Sequence, residues 1–402
     1  MSKHLYGLVP LIALCITCGQ KQGVSLTNIR EGAHFETPVE FPLSPSKKEL
    51  QSSNVYSMQT GEGEVLLQST PAFYNSDDEN SGPALCAVLP AGIKEGSFAL
   101  NPVDCDPVFI FHENDRGQLQ VFEKNQPVLT YNFGMQLGNN APEKYRRSCY
   151  IHPLYDLKGD SLTDDFPEDH FHHRGLSWMW PKIFVDGQQY DIWHIYGYEG
   201  NLPGIHHVFE HWISKDAGPV CAVVQSKNFW QLESDEKVMD EWVSIRAFRR
   251  TDKGRAIDIR LTWKAVVPIE IEGQTTKGYG GLNFRFAPRE HTQLFSIEGK
   301  EPDSDLKNLP WADLSAEFAN SGALSGAAIF QHSGNPDFPA GWCLRHYGFL
   351  GIAWPGVQRI RLQPGESISL KARIWIHEGD ATAGKCAEAY EVFQDPPKLT
   401  LN

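Results

Sequence analysis

Between Arg146 and Trp180 the chain reads RRSCYIHPLYDLKGDSLTDDFPEDHFHHRGLSWMW. Four histidines (His152, His170, His172, His173) fall in this aromatic-rich run, with four closely spaced acids (Asp164, Asp165, Glu168, Asp169) among its six. Imidazoles and carboxylates are the usual metal ligands and general acids or bases. The segment is therefore expected to build the floor of an active site. On a strand, His170 and His172 would share a face. Such a pair, completed by Asp169 or His152, could hold one divalent metal ion. The same residues also suit a metal-free site. There His152 with His170 or His172 acts as acid and base, Arg174 holds a hydroxyl or carboxylate, and Trp178 and Trp180 stack on a sugar ring. A hydrogen-bonded histidine cluster with a structural role is the third reading.

Other motifs carry less. His207-Val-Phe-Glu-His211 spells the HxxEH of an inverted zinc-protease helix. Pro203-Gly204 before it and CAVVQ after it predict a strand instead. His206 would then face the other way from His207 and His211 and could line a cleft. In KGYGGLNFRFAPR, Arg285 follows a Gly-rich turn and is a candidate for holding sugar oxygens, or a solvent-facing strand arginine. The loop QHSGNPDFPAGWCLRH brings His332, Trp342 and Arg345 into a Pro-rich stretch that could close over a ligand or cap a turn. No GxSxG, Walker loop or HExxH occurs.

Those side chains must be positioned by strands. VSIRAFRRTDKGRAIDIRLTW alternates on both sides of Thr251–Gly254, putting Ile257, Ile259, Leu261 and Trp263 on one face. VQRIRLQPGESISLKARIWIHEG repeats the pattern around Pro364-Gly365, with Ile368, Leu370, Ala372, Ile374 and Ile376 together. Helical signals are confined to Asp305–Phe318 and Ala381–Phe393. The 35 Gly and 26 Pro in 402 residues suit an all-β chain with many turns. The expected order is a lipoprotein signal over 1–18, a linker and first strand over 19–55, a small β-sandwich domain over 56–105, and a large antiparallel β-sandwich over 106–402. The formal charge of −14 argues against nucleic acid and anionic membrane surfaces.

Leu5–Thr17 is apolar but shorter than a bilayer span, and Cys18-Gly19 follows it. This predicts export with Cys18 as the lipidated residue and a periplasmic or outer-membrane location. Cys15 and Cys18 then belong to the signal, not to a redox CxxC. Of the remaining cysteines, Cys86 and Cys105 are close enough in sequence to pair, or to stay buried as thiols.

The segments YIHPLY, LTDDFPEDHFHHRGL, GGLNFRF, HSGNPDFPAGWCLR and ARIWIHEGD resemble a bacterial exported family of unknown function that often carries a methane-oxygenase (PmoA-like) label. The resemblance covers roughly residues 30–380. It implies a galactose-mutarotase-like β-supersandwich whose concave face binds sugars. It points to His152, Asp169, His170, His172, His173, Arg174, Arg285, His332 and Arg345. Trp342-Cys-Leu-Arg345 departs from the aromatic-rich form expected there. A particulate methane oxygenase needs membrane-spanning helices, and no apolar run after residue 18 is long enough. The expectation is thus a lipid-anchored, carbohydrate-processing hydrolase, lyase or epimerase. A glycan-binding lipoprotein without catalysis is the alternative.

Overall fold

The computed structural model describes residues 22–30, 34–43, 54–74, 82–138, 140–318 and 321–402. The expected signal and Cys18 lie outside the described residues. Among the described residues every pairing of named strands is antiparallel, and the structure is all-β apart from one α-helix, Cys386–Gln394, and one 3-10 turn. Two nine-stranded sheets share one hydrophobic core and form the expected supersandwich. The first of these runs from Phe109–Asn114 at one edge to Ser304–Asn308 at the other. The second runs from Ile205–Ala217 to Gly299–Lys300.

The alternation read in the sequence fixes their inner faces. In Gly254–Ala265, paired with Ser367–Glu378, Ile257 meets Ile374, Ile259 meets Ala372 and Leu261 meets Leu370. All six are buried in the shared core. The intervening side chains point outward, where Asp258 binds Arg246 and Arg373 and is wholly buried. Arg246 also meets Glu40 of the seven-stranded sheet. That sheet and the helix cover this part of the outer face, where Phe35, Val88 and Tyr390 cluster with Phe248 and Trp375 of the second nine-stranded sheet.

Several expectations are corrected. The stretch 19–55, expected to hold a linker and a first strand, contains two strands, Gln22–Thr27 and Thr37–Pro42, both in the seven-stranded sheet. That sheet also takes Lys398–Leu401 from the far end of the chain, so it is not confined to 56–105. Asp305–Phe318 is not a helix but two strands, Ser304–Asn308 and Trp311–Phe318, broken at Leu309-Pro310. Nearly every residue of the second is buried, and Ala312, Leu314, Ala316 and Phe318 alternate with Asp313, Ser315 and Glu317 as on a strand. Arg359–Leu362 and Ser367–Glu378 flank Pro364-Gly365 but join different sheets. Cys86 and Cys105 are free thiols; Cys86 is buried beside Thr70 and Arg246.

Candidate active site

His170, His172 and His173 do not sit on a strand. The segment folds into successive turns, with the His170 N–H donating to Pro167 O (2.9 Å) and the His173 N–H to His170 O (2.8 Å). Arg174 is their brace. Its Nη1 donates to Phe171 O (2.7 Å) and His173 O (2.6 Å), and its Nη2 donates to Tyr145 O. The guanidinium lies 3.4 Å from the Phe166 ring centre and faces Asp165. At 1% exposure it holds the loop and cannot hold a ligand. Burial pushes the Asp165 carboxyl up to about 6, against the pull of Arg174. Gly175 returns the chain to the sheet: a Cβ there would stand 2.4 Å from Ile151 O.

A second loop completes the site. Asp191 Oδ1 accepts from the backbone N–H of Trp193 (2.8 Å) and of His194 (2.7 Å), and Oδ2 lies 2.7 Å from His194 Nδ1. Arg147 Nη2 fixes the same loop through Ile192 O and Trp193 O. The carboxylate thus sets both the turn and the ring, leaving Nε2 as the imidazole's working nitrogen.

The two loops bring four imidazoles together. The His172 and His194 ring centres are 4.4 Å apart, His172 and His173 4.6 Å, and His170 and His173 4.6 Å with parallel rings. They line a cleft of about 280 Å³ with Trp193, Tyr198, Lys277, Tyr279, Cys343, Arg345, Tyr347 and Phe349. No Asp or Glu is among the lining residues. Burial, then the neighbouring imidazoles and Arg147, hold His172 well below the ordinary imidazole range. Burial, His170 and Arg285 do the same to His173. Burial pushes Tyr279 and Tyr347 up to about 12, so both keep their protons at neutral pH. The cleft presents neutral bases beside protonated phenols.

Of the residues expected from sequence, His170, His172, His173 and Arg345 line this cleft. Asp169 and Arg285 stand behind it, joined by bonds of 2.8 and 2.9 Å, with Arg285 stacked on Tyr347. Asp169 Oδ2 also lies 2.9 Å from His170 Nδ1. Both of its oxygens are therefore spent, and the set His170, His172 and Asp169 does not converge on one point as metal ligands. Among the described residues, the one group of three such ligand atoms within 4.8 Å of one another is Asp313, His377 and Cys386, buried under the helix.

The remaining expectations are corrected by burial. Trp178 and Trp180 are core residues at 1% and 0% exposure and offer no face to a sugar. Trp178 Nε1 donates to Glu241 (3.0 Å) and Trp180 Nε1 to Trp354 O (2.7 Å). His152 turns to Thr163 Oγ1 (3.0 Å), and burial brings it down to about 4. His206 packs on Tyr196, and His332 stacks on Tyr74; neither lines the cleft. Ile205–Ala217 is a strand, which removes the zinc-protease helix. A bulge between Phe209 and His211 sends His207 inward and leaves His211 exposed. His207 faces Glu241 Oε2 at 3.4 Å, where Trp178, Trp230 and Trp263 also donate.

A roomier groove of about 560 Å³ lies on the second nine-stranded sheet, between Pro71, Glu210, Trp242 and Arg260. Its polar groups pair across strands, as in Lys227–Asp240 (2.9 Å) and Gln225–Ser244 (3.1 Å). Sequence reasoning missed Asp191, His194, Lys277, Tyr279 and Tyr347. The one local signal was the spacing Asp-x-x-His, which suits an Asx-type turn.

A family model described as "Family of unknown function (DUF6807)" matches residues 118–391. No curated protein matches the chain. Among solved structures, a glycosyl hydrolase family 38 protein from Enterococcus faecalis is similar with a TM-score of 0.44 and 10% identity. The alignment covers 95% of this chain and 47% of that one. An alpha-mannosidase from Enterococcus faecalis V583 gives a TM-score of 0.41 and 9% identity, covering 95% and 46%. The chain therefore spans about half the length of these structures.

Proposed function

This chain belongs to DUF6807, a family of unknown function, and we propose for it an enzyme that moves protons on a carbohydrate in the histidine cleft. The observation that carries this reading is the Asp191–His194 pair, set beside His172 and His173 in a cleft that no carboxylate lines. Retaining and inverting glycoside hydrolysis both rely on two carboxyl groups flanking the bond. That chemistry has no partners here. A neutral imidazole with Nδ1 fixed by a carboxylate is suited to take a proton from carbon next to a carbonyl or carboxylate. A phenol that stays protonated, such as Tyr279, is suited to give one. Lyase or epimerase chemistry fits these groups better than hydrolysis. Tyr198, 83% exposed beside His194, offers a ring on which a sugar face can stack.

Export and lipidation at Cys18 complete the proposal and would place the cleft in the cell envelope. The test is proton exchange. Candidate oligosaccharides are incubated with the protein in deuterated water, and deuterium at carbon next to the carbonyl or carboxylate is followed. Wild-type protein is expected to catalyse exchange or elimination, and His194→Ala to abolish it while still binding. Binding without any exchange in the wild type would refute enzyme action and leave a glycan-binding protein.

A further inference from the structure

Resting on that reading, we infer that the sugar is anionic: the cleft is built for a uronate residue, with Lys277 receiving its carboxylate. The lining supplies Lys277, Arg345 and four imidazoles but no acid. The nearest carboxylates are already committed, Asp169 to Arg285 and His170, Asp191 to His194 and its turn, and Asp305 to Arg345. Lys277 is exposed, and among the described residues its ammonium has no hydrogen-bond or ion-pair partner. Behind Tyr347, Arg285 is 6% exposed, and among the described residues its Nε and Nη1 have no hydrogen-bond partner. The fixed cations Arg147, Arg174 and Arg285 bear electrostatically on His172 or His173. A neutral sugar brings nothing to offset this field, whereas a carboxylate does, through charge-assisted hydrogen bonds.

The charge also serves the chemistry. A carboxylate neutralised by Lys277 makes the adjacent ring C–H more acidic. In an elimination, the C5–H bond breaks and its proton goes to His194 Nε2. The C5 electron pair forms the C4=C5 double bond. The C4–O bond breaks, its pair leaves with oxygen, and that oxygen takes a proton from Tyr279. Proton exchange with water restores both side chains. No oxidant or reductant is consumed.

The test is isothermal titration of the full-length protein with galacturonate and glucuronate oligosaccharides, each beside its neutral hexose counterpart. Wild type is expected to prefer the uronate by about ten-fold or more, the effect of one charge-assisted contact. In Lys277→Gln that preference should collapse. Appearance of unsaturated uronate by ultraviolet absorbance would support the elimination. Neutral oligosaccharides binding as well as uronates, with Lys277→Gln silent, would overturn the anionic substrate and leave carbohydrate processing standing. Failure of both series to bind would overturn the carbohydrate reading itself, and this inference with it.

Discussion

Asp191→Asn separates the chemistry of the site from its fold. Asp191 Oδ1 holds the turn through two backbone N–H groups, and an asparagine carbonyl accepts both equally well. Oδ2 stands 2.7 Å from His194 Nδ1 and fixes the proton there. An amide NH2 in that place donates instead, so Nδ1 must lose its proton and Nε2 must carry it. The imidazole then faces the cleft as a donor and can no longer act as a base. The lost ionic character of one buried hydrogen bond should cost stability about 1–2 kcal/mol. Loss of general base catalysis should cost turnover about 10²–10⁴-fold, or ~3–5 kcal/mol in the barrier. Nitrogen-15 NMR of labelled protein reads the His194 tautomer without any substrate. Turnover of the sugar identified in the exchange screen reads the consequence. A wild-type ring already protonated on Nε2 and not on Nδ1 would refute the reasoning. So would an Asn variant with the switched tautomer and undiminished turnover.

Glu241→Gln should destabilise the fold by about 3 kcal/mol in urea unfolding, because three indole N–H donors lose a charged acceptor in the core. Burial raises this carboxyl but is outweighed by His207 and the hydrogen bonds of Asn228 and Trp230, so it sits below its ordinary range. A depressed folded pKa means its stabilisation is present above the unfolded value near 4.3 and fades as pH falls through the folded value. The Gln deficit should therefore persist at pH 5 and shrink only in stronger acid; a deficit already lost at pH 5 would contradict the charged hub. His172 and His173 work in the opposite sense. Both stay neutral in the fold while the unfolded chain takes up protons below about 6.5, so stability falls as pH drops. From pH 7.5 to 5.5 the pair should cost about 2 kcal/mol, after partial offset by Asp165, which binds its proton earlier in the folded state. A paired His172→Gln/His173→Gln variant should flatten the profile of urea midpoints, and an unchanged slope would count against buried neutral rings. His332→Ala and His206→Ala should leave turnover within about two-fold of wild type, since neither lines the cleft; a large loss in either would move the site.

Strands were legible where apolar and polar residues alternate, even where both faces are buried. Ile257, Ile259, Leu261 and Trp263 are such a case, and all four are in the core. Trp311–Phe318 alternates as well, but its Ala, Leu and Glu are good helix formers, and it passed for a helix. The histidine run marked the right region for the wrong reason, because turns rather than a strand gather the rings. Trp178 and Arg174 were misjudged since residue type does not reveal burial: an indole N–H or a guanidinium can find all its partners inside. The decisive pair, Asp191 and His194, lies some twenty residues from the histidine run. Only the pairing of sheets closes that distance.

Gln22–Thr27 has as its neighbour Lys398–Leu401, with Val24 opposite Leu401 and Thr27 opposite Lys398. The consequence concerns the order of folding. One edge of the seven-stranded sheet cannot be finished until almost the whole chain is available, and closing a loop of that length is slow relative to local hairpins. The long hairpins of the second nine-stranded sheet, such as Ile205–Ala217 with Cys221–Leu232, need no such wait. Those hairpins can thus assemble first, and the last strand acts as a latch. Deleting residues 398–402 should leave a folded supersandwich with an open, association-prone strand edge.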